Sequence, residues 1–378
     1  MGYSRRGILP IVLALLAWTA SGCANLAATL EAIPRSTPGA AAALLPTLTP
    51  EAGGEPGRVA PPSPDGPPEV EVLPITLAGP AAQRNAQFSG MAWYGETLIL
   101  LPQYPDFAAD GTNALYALPR SEVLAWIDRA AQGEKPPALL PSPVTFLAPG
   151  LADSIPGYEG YEAIAFDGER FYVTLEAQAN GQTGAYLFVG RVDSDNNTLS
   201  ADTSVWQYIA GQSGLSNNSD ESILVTPDGP MTLHEINGVE WSAAPLAHRF
   251  DAALQPLGAI SFPNIEYRIT DATPLDGDGR FWAINYFFPG DEWLTPASDP
   301  IADLFGRGPT HSTSVQVERL LEFRFDGAQI VRTERAPVQL QLTLLSRNWE
   351  GIVRLEERGF LLITDQFPET TLGFVSWP

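Results

Sequence analysis

Thiols, ammonium groups and imidazoles are all scarce in this chain of 378 residues. Cys23 is the single cysteine, which excludes an intrachain disulfide and any thiolate-rich metal site. Lys135 is the single lysine, and 21 Lys and Arg stand against 44 Asp and Glu, a formal net charge of −23. A surface this acidic excludes nucleic acid and anionic lipid headgroups as principal partners. The three histidines, His234, His248 and His311, have no zinc-ligand spacing. Neither a G-x-S-x-G nucleophile elbow nor a phosphate-binding P-loop occurs. The apolar run from Ile8 to Trp18 is too short to span a bilayer.

That run follows Arg5 and Arg6 and leads through Ala20-Ser21-Gly22 to Cys23, so residues 1–23 read as a targeting segment. The stretch resembles a bacterial lipoprotein signal, whose terminal cysteine is lipidated after cleavage. Ser4-Arg5-Arg6 with Ile8-Leu9 is similar to a twin-arginine export signal. Lipid attachment at Cys23 predicts a membrane partner through the anchor and an extracytoplasmic place in the cell envelope. Ordinary secretion with an incidental cysteine is the alternative. Residues 24–68 are rich in Ala, Pro, Gly and Thr and form no core; Pro61, Pro62, Pro64, Pro67 and Pro68 favour an extended, solvated tether. Residues 69–378 then make one domain, with 44% hydrophobic and 10% aromatic residues in the whole chain to supply a core.

What the chain has in abundance is repetition. Five copies of a two-strand pattern begin FSGMAWYGETLILLPQ at Phe88, YEAIAFDGERFYVTLE at Tyr161, DESILVTPDGPMTLHE at Asp220, TDATPLDGDGRFWAIN at Thr270 and WEGIVRLEERGFLLITD at Trp349. Each has short runs of strand-forming residues around a turn such as Gly95-Glu96, Asp167-Gly168 or Asp228-Gly229, and so predicts a hairpin. Third strands follow at Ala114 to Leu118, Ala185 to Val189, Leu246 to Phe250, Leu320 to Phe325 and Leu372 to Trp377. Fourth strands fit Val144 to Leu147, Val205 to Ile209, Gly258 to Phe262 and Leu340 to Leu345. The fifth copy lacks its own fourth strand, which Val70 to Leu77 can supply. The expected fold is therefore all-β: a β-propeller of five four-stranded blades, or six with a degenerate one, its ring closed by an N-terminal strand. Ser121 to Gln132 is expected as an amphipathic helix, and Phe287 to Ser314 as a long loop.

The second residue of each copy is Ser89, Glu162, Glu221, Asp271 or Glu350; the last is Gln103, Glu176, Glu235, Asn285 or Asp365. In a hairpin these ends lie side by side, at about 5 Å. In a propeller the first strands line the central channel, so the first set forms a ring. Two like charges at 4 Å repel by about 4 kcal/mol at an effective dielectric near 20. Such acids either take up protons or hold a cation. Oxygen-only ligands of flexible geometry favour calcium; backbone capping at strand ends is the plainer alternative. Glu176, Glu235 and Asp365 in the second ring are candidate catalytic bases, with Gln103 and Asn285 beside them. His234 adjoins Glu235, although strand alternation turns it to the other face, where a packed histidine is expected. His311 lies in the long loop with Asp291, Glu292 and Asp303, and Arg84, Arg268 and Arg347 precede copies. Asp193, Asp195 and Asn197 have calcium-loop spacing, but Thr198 and Ser204 stand where Gly and Glu are required, so a turn is expected.

FSGMAW, YEAIAFDG with FYVTLEA, TDATPLDGDGRFWAIN and NWEGIVRLEERGFLLITDQF resemble the phytase-like family, also called the esterase-like activity of phytase family. The resemblance covers most of Phe88 to Trp377 and carries over Ser89, Glu162, Asp271, Glu350 and Asp365. The order Ser, Glu, Glu, Asp, Glu is similar to the ring around the central calcium of calcium-activated nucleotidases (apyrases). These likenesses imply a calcium-dependent phosphoester or ester hydrolase acting on a small-molecule ligand. The alternative is a non-catalytic propeller that binds a ligand or protein, its central calcium structural.

Overall fold

The computed structural model describes residues 66–377 except 109, 110 and 180. The expected signal segment, Cys23 and most of the tether lie outside the described residues. The fold is all-β and built from antiparallel meanders. Sheet I comprises Phe88–Tyr94, Thr97–Pro102, Ala114–Pro119 and Ser142–Leu147. Sheet II comprises Tyr158–Asp167, Arg170–Ala179, Gln182–Asp193 and Thr198–Ala210. Sheet III is Asp220–Thr226, Gly229–His234, Leu246–Phe250 and Pro256–Ser261. Sheet V is Trp349–Leu355, Gly359–Thr364, Leu372–Ser376 and, from the other end of the domain, Val72–Ile75. The outer strands of sheets I and II also pair with each other in parallel, joining the two edge to edge.

Sheet IV departs from this regularity. Its strands are Arg280–Phe287 and Val317–Phe325, against which both Ile330–Arg332 and Val338–Leu340 pair. The segment expected as its first strand is reduced to a bridge between Ala272 and Ala283. Pro274 has no N–H to continue that ladder. Glu69–Val70 adds in parallel to Val338–Leu340. The Glu69 carboxylate is clasped there by the Thr310 and His311 backbone N–H groups, the Thr310 hydroxyl at 2.7 Å and His311 Nδ1 at 2.9 Å. His311 is therefore a structural clamp on the N-terminal strand.

Strand alternation sends successive side chains into neighbouring seams. Leu98 and Leu100 pack with Val353 and Leu361 between sheets V and I, whereas Ile99 and Leu101 pack with Phe171 and Val173 between I and II. Tyr172, on the opposite face, joins Ile223 and Phe250 between II and III. Leu233 meets Phe281 and Phe323 between III and IV, and Trp282 and Leu320 meet Trp349 and Phe360 between IV and V. Each fully buried side chain contributes about 1.5–3 kcal/mol. The helix Arg120–Ala131 covers the V–I seam with Val123, Trp126 and Ile127. The inner edges adjoin in the same order. Ser89 Oγ donates to the Tyr161 carbonyl at 2.6 Å, Ile269 N–H to the Glu235 carbonyl at 2.9 Å, and Thr270 Oγ1 to the Trp349 carbonyl at 2.6 Å. The arrangement is propeller-type, with these edges surrounding a central cavity.

Candidate functional site: a carboxylate-lined central cavity

Four of the five marked positions sit on a β-bulge. The ladder shifts between Phe88 and Gly90, Tyr161 and Ala163, Asp220 and Ser222, and Trp349 and Gly351. The residues passed over are Ser89, Glu162, Glu221 and Glu350. A bulge inserts one unpaired residue and re-aims its side chain, and all four line one cavity of 480 Å³. The residue after each is small: Gly90, Ala163, Ser222 and Gly351. A methyl group on Gly351 would come within 3.2 Å of the Gly90 backbone, so small residues here let inner strands approach.

Asp271 occupies the equivalent place without a bulge and is not among the cavity's lining residues. Its Oδ1 accepts from Ala272 N–H and its Oδ2 from Ile352 N–H, both at 2.8 Å, fastening sheet IV to sheet V. Burial pushes its pKa well up, and those two N–H groups oppose the rise.

From the ends of the second strands, Gln103, Glu176, Glu235 and Asp365 reach the cavity. Gln103 Nε2 donates to Glu162 Oε1 at 3.2 Å. Its side chain lies over Gly160 (φ 135°), where a Cβ would fall 2.3 Å from Gln103 Cγ. Asn285 is turned away, donating to the Glu266 and Arg268 carbonyls and accepting from Arg319 Nε at 2.8 Å. His234 is buried outside the cavity, its ring nitrogens facing the Gln212 and Ile236 N–H groups, and burial lowers its pKa.

Side chains from outside the repeat complete the lining. Arg268 is the one basic residue among them: Nη1 donates to Glu235, and Nε and Nη2 donate to Asp291 Oδ2 at 3.0 and 2.9 Å. Arg347 instead serves the buried Glu318, and Arg84 lies over the Phe367 ring. Glu159, Tyr104, Asn217, Tyr286, Phe288 and Asn348 also face the space. The Asp193–Asn197 segment is a turn, in which Asn196 N–H donates to Asp193 Oδ1.

So many buried acids resist ionisation together. Burial, then the neighbouring Glu235 and Glu159 charges, push Glu162 up to about 8 against the hydrogen bond from Gln103. Burial and the Glu162 charge push Glu176 up to about 10. Burial also raises Glu221, Glu350 and Glu235, the last opposed by Arg268. Glu176 Oε2 and Glu235 Oε2 are buried without a hydrogen-bond partner. An orphaned carboxylate oxygen in a cavity calls for a proton or a cation. The donors are all oxygen, as a hard cation requires. As the side chains stand, no three His, Cys, Asp or Glu residues among those described close on a common metal position.

No family model matches the chain, so the phytase-like family is not shown, and no curated protein matches it. Among solved structures it is similar to a bifunctional GH43-CE protein of Bacteroides eggerthii at 10% identity and TM-score 0.44, covering 82% of this chain but 35% of that one. It is similar to an α-L-arabinofuranosidase of Clostridium thermocellum at 10% identity and TM-score 0.42, covering 73% and 81%. It also resembles the α-L-arabinanase of Cellvibrio cellulosa at 10% identity and TM-score 0.38, covering 76% and 92%. Likenesses this distant assign no activity. Fold and site together define an all-β, propeller-type protein with an acid-lined central cavity.

Proposed function

We propose that the five sheets are the blades of a five-bladed β-propeller, closed by Val72–Ile75 from the N-terminal side, and that the cavity at its hub is the active site of a cation-assisted ester or phosphoester hydrolase. One observation carries the reading: Glu162, Glu176, Glu221, Glu235 and Glu350 line a single cavity, and two of them keep unpartnered carboxylate oxygens. Calcium suits the oxygen donors, with Ser89, Glu162, Glu221 and Glu350 as the residues to hold it. Asp271, spent on two backbone N–H groups, is left out of that set. A bound ion offsets substrate charge and acidifies water.

The chain's own groups divide the proton work. Glu176, whose environment favours the proton, is the general acid. Glu235, steadied in its ionised form by Arg268, is the general base, and Asp365 borders the same space. Carboxyls whose surroundings push their proton affinities apart make such a pair. Arg268 keeps two of its five N–H groups beyond the three that serve Glu235 and Asp291, and these orient an anionic substrate group. Kinship with the phytase-like family, lipid attachment at Cys23 and an extracytoplasmic location belong to the same proposal and rest on the sequence motifs.

The test is hydrolysis of a panel of aryl and alkyl esters and phosphoesters by the full chain, in calcium and in chelator. Turnover that chelator abolishes and calcium restores is expected, with loss in Glu176→Gln and Glu235→Gln. Saturable calcium binding with no turnover across the panel would replace the hydrolase with a ligand-binding propeller.

A further inference from the structure

Four connections lie at the cavity end of sheets III, IV and V: residues 235–245, 288–316, 341–348 and 365–371. Six large apolar side chains stand out of them into solvent: Val239, Phe288, Trp293, Leu344, Leu345 and Phe367, from 41% exposed at Trp293 to 94% at Leu344. A lone exposed apolar side chain is ordinary, but a group of them marks an interaction surface. Contacts tie these six to one mouth. Phe288 and Phe367 line the central cavity itself. Trp293 lies 5.7 Å from the Arg268 guanidinium, which lines it too, and meets Trp241, two residues after Val239, edge-on at 5.6 Å. Ser346, next to Leu345, donates to Oη of the lining Tyr286 at 3.4 Å. The charge around the tips is acidic. Exposed Glu240, Glu292 and Glu369 each stand within two residues of a tip. Arg347 is turned inward onto Glu318, which leaves Arg84, over the Phe367 ring, as the opposing base.

We propose that these tips seat the cavity mouth on a zwitterionic phospholipid surface. A fluid surface admits side chains from four separate connections without a matching relief, whereas a protein partner requires close shape complementarity. Each leucine carried out of water gains on the scale of apolar transfer, and Trp and Phe suit the boundary between headgroup and acyl chain. The glutamates and the net charge of −23 repel anionic headgroups, so a surface without net charge is the one that fits. One consequence rests on the hydrolase reading above: the ester cleaved would be the phospholipid's own, its phosphate meeting the spare N–H groups of Arg268. The docking itself does not depend on that reading.

The probe is phosphatidylcholine vesicles, added in chelator to the full chain carrying Cys23→Ser. That change removes the single cysteine and any attached lipid, so one nitroxide can be placed at Leu344→Cys or, as a control at the far end of sheet III, at Leu257→Cys. Vesicles should lower the collision rate of the Leu344 label with a water-soluble nickel reagent about threefold or more, and change the Leu257 label less than about twofold. The comparison reports which face meets lipid, even where the apolar run from Ile8 to Trp18 also holds the chain to the vesicle. Val239→Ser with Leu345→Ser, both at exposed positions, should restore most of the Leu344 collision rate. Phosphatidylglycerol mixed into the vesicles should also restore it, at low salt only. No shielding at Leu344, equal shielding at Leu257, shielding that the serine pair leaves intact, or deeper shielding by anionic vesicles each overturns the proposal. No turnover or calcium is involved, so failure here and failure of the hydrolase reading are separable.

Discussion

Gln103, at the end of the first hairpin, donates through Nε2 to Oε1 of Glu162, at the bulge of the second, across 3.2 Å. The bond ties the outer ring of one sheet to the inner ring of the next. It also favours the ionised form of an acid that burial otherwise protonates.

Gln103→Leu should therefore move the Glu162 titration further upward, seen by carboxyl-carbon NMR. An unmoved titration would mean that the amide does not reach the acid in solution. Thermal stability should change little, because a hydrogen bond contributes about 1 kcal/mol net.

The acid cluster fixes the sign of the pH dependence. Glu162 and Glu176 bind protons more tightly folded than unfolded. Their contribution is complete below the ordinary glutamate pKa and is lost as pH rises through the folded values, about 8 and about 10. In chelator the melting temperature should fall steadily from pH 5 to pH 9. Calcium in millimolar excess should flatten that fall by binding the ionised form. A melting temperature constant across the range without metal contradicts both halves.

Asp271→Ala should destabilise the domain by about 2–4 kcal/mol in urea, because two buried backbone N–H groups lose their acceptor. Calcium affinity of the surviving fold should be unchanged. Glu350→Gln should do the reverse, holding stability and weakening calcium at least tenfold. If Asp271→Ala also loses the ion, Asp271 belongs to the ligand set after all.

Glu176→Gln and Glu235→Gln should each lower kcat about a hundredfold or more with KM little changed, the scale for removing a general acid or base. Glu235→Gln should also leave Arg268 less tightly held. A fall in kcat/KM carried by KM alone would assign both groups to binding.

Much of the cavity was legible because the acids recur at the ends of each hairpin. The register differs from direct pairing: the ladder passes over Glu162, Glu221 and Glu350, and Glu176 stands opposite Gly160, with Glu235 and Asp365 just beyond the paired His234 and Thr364. Asp271 has the same spacing, yet Pro274 cuts its strand short and its carboxylate goes to the backbone. Nothing in spacing distinguishes the two outcomes; a bulge is a feature of pairing. Glu159, Tyr104 and Arg268 were hidden differently, since they sit outside the repeated frame and reach the cavity only through packing. Arg268 could be suspected from its place before the fourth copy, but its two carboxylate partners come from distant parts of the chain. The sequence does carry one further signal: each inner acid is followed by Gly, Ala or Ser, the mark of inner strands crowded together.

The strand Val72–Ile75 lies beside Leu372–Ser376, so the earliest and latest parts of the domain share one ladder. Val72–Ile75 therefore stays unpaired on that side until Leu372–Ser376 has been made. The same latch means that traction on residue 68 is resisted by strands sliding lengthwise and by the Glu69 clasp, the direction in which a hydrogen-bonded ladder must break many bonds together.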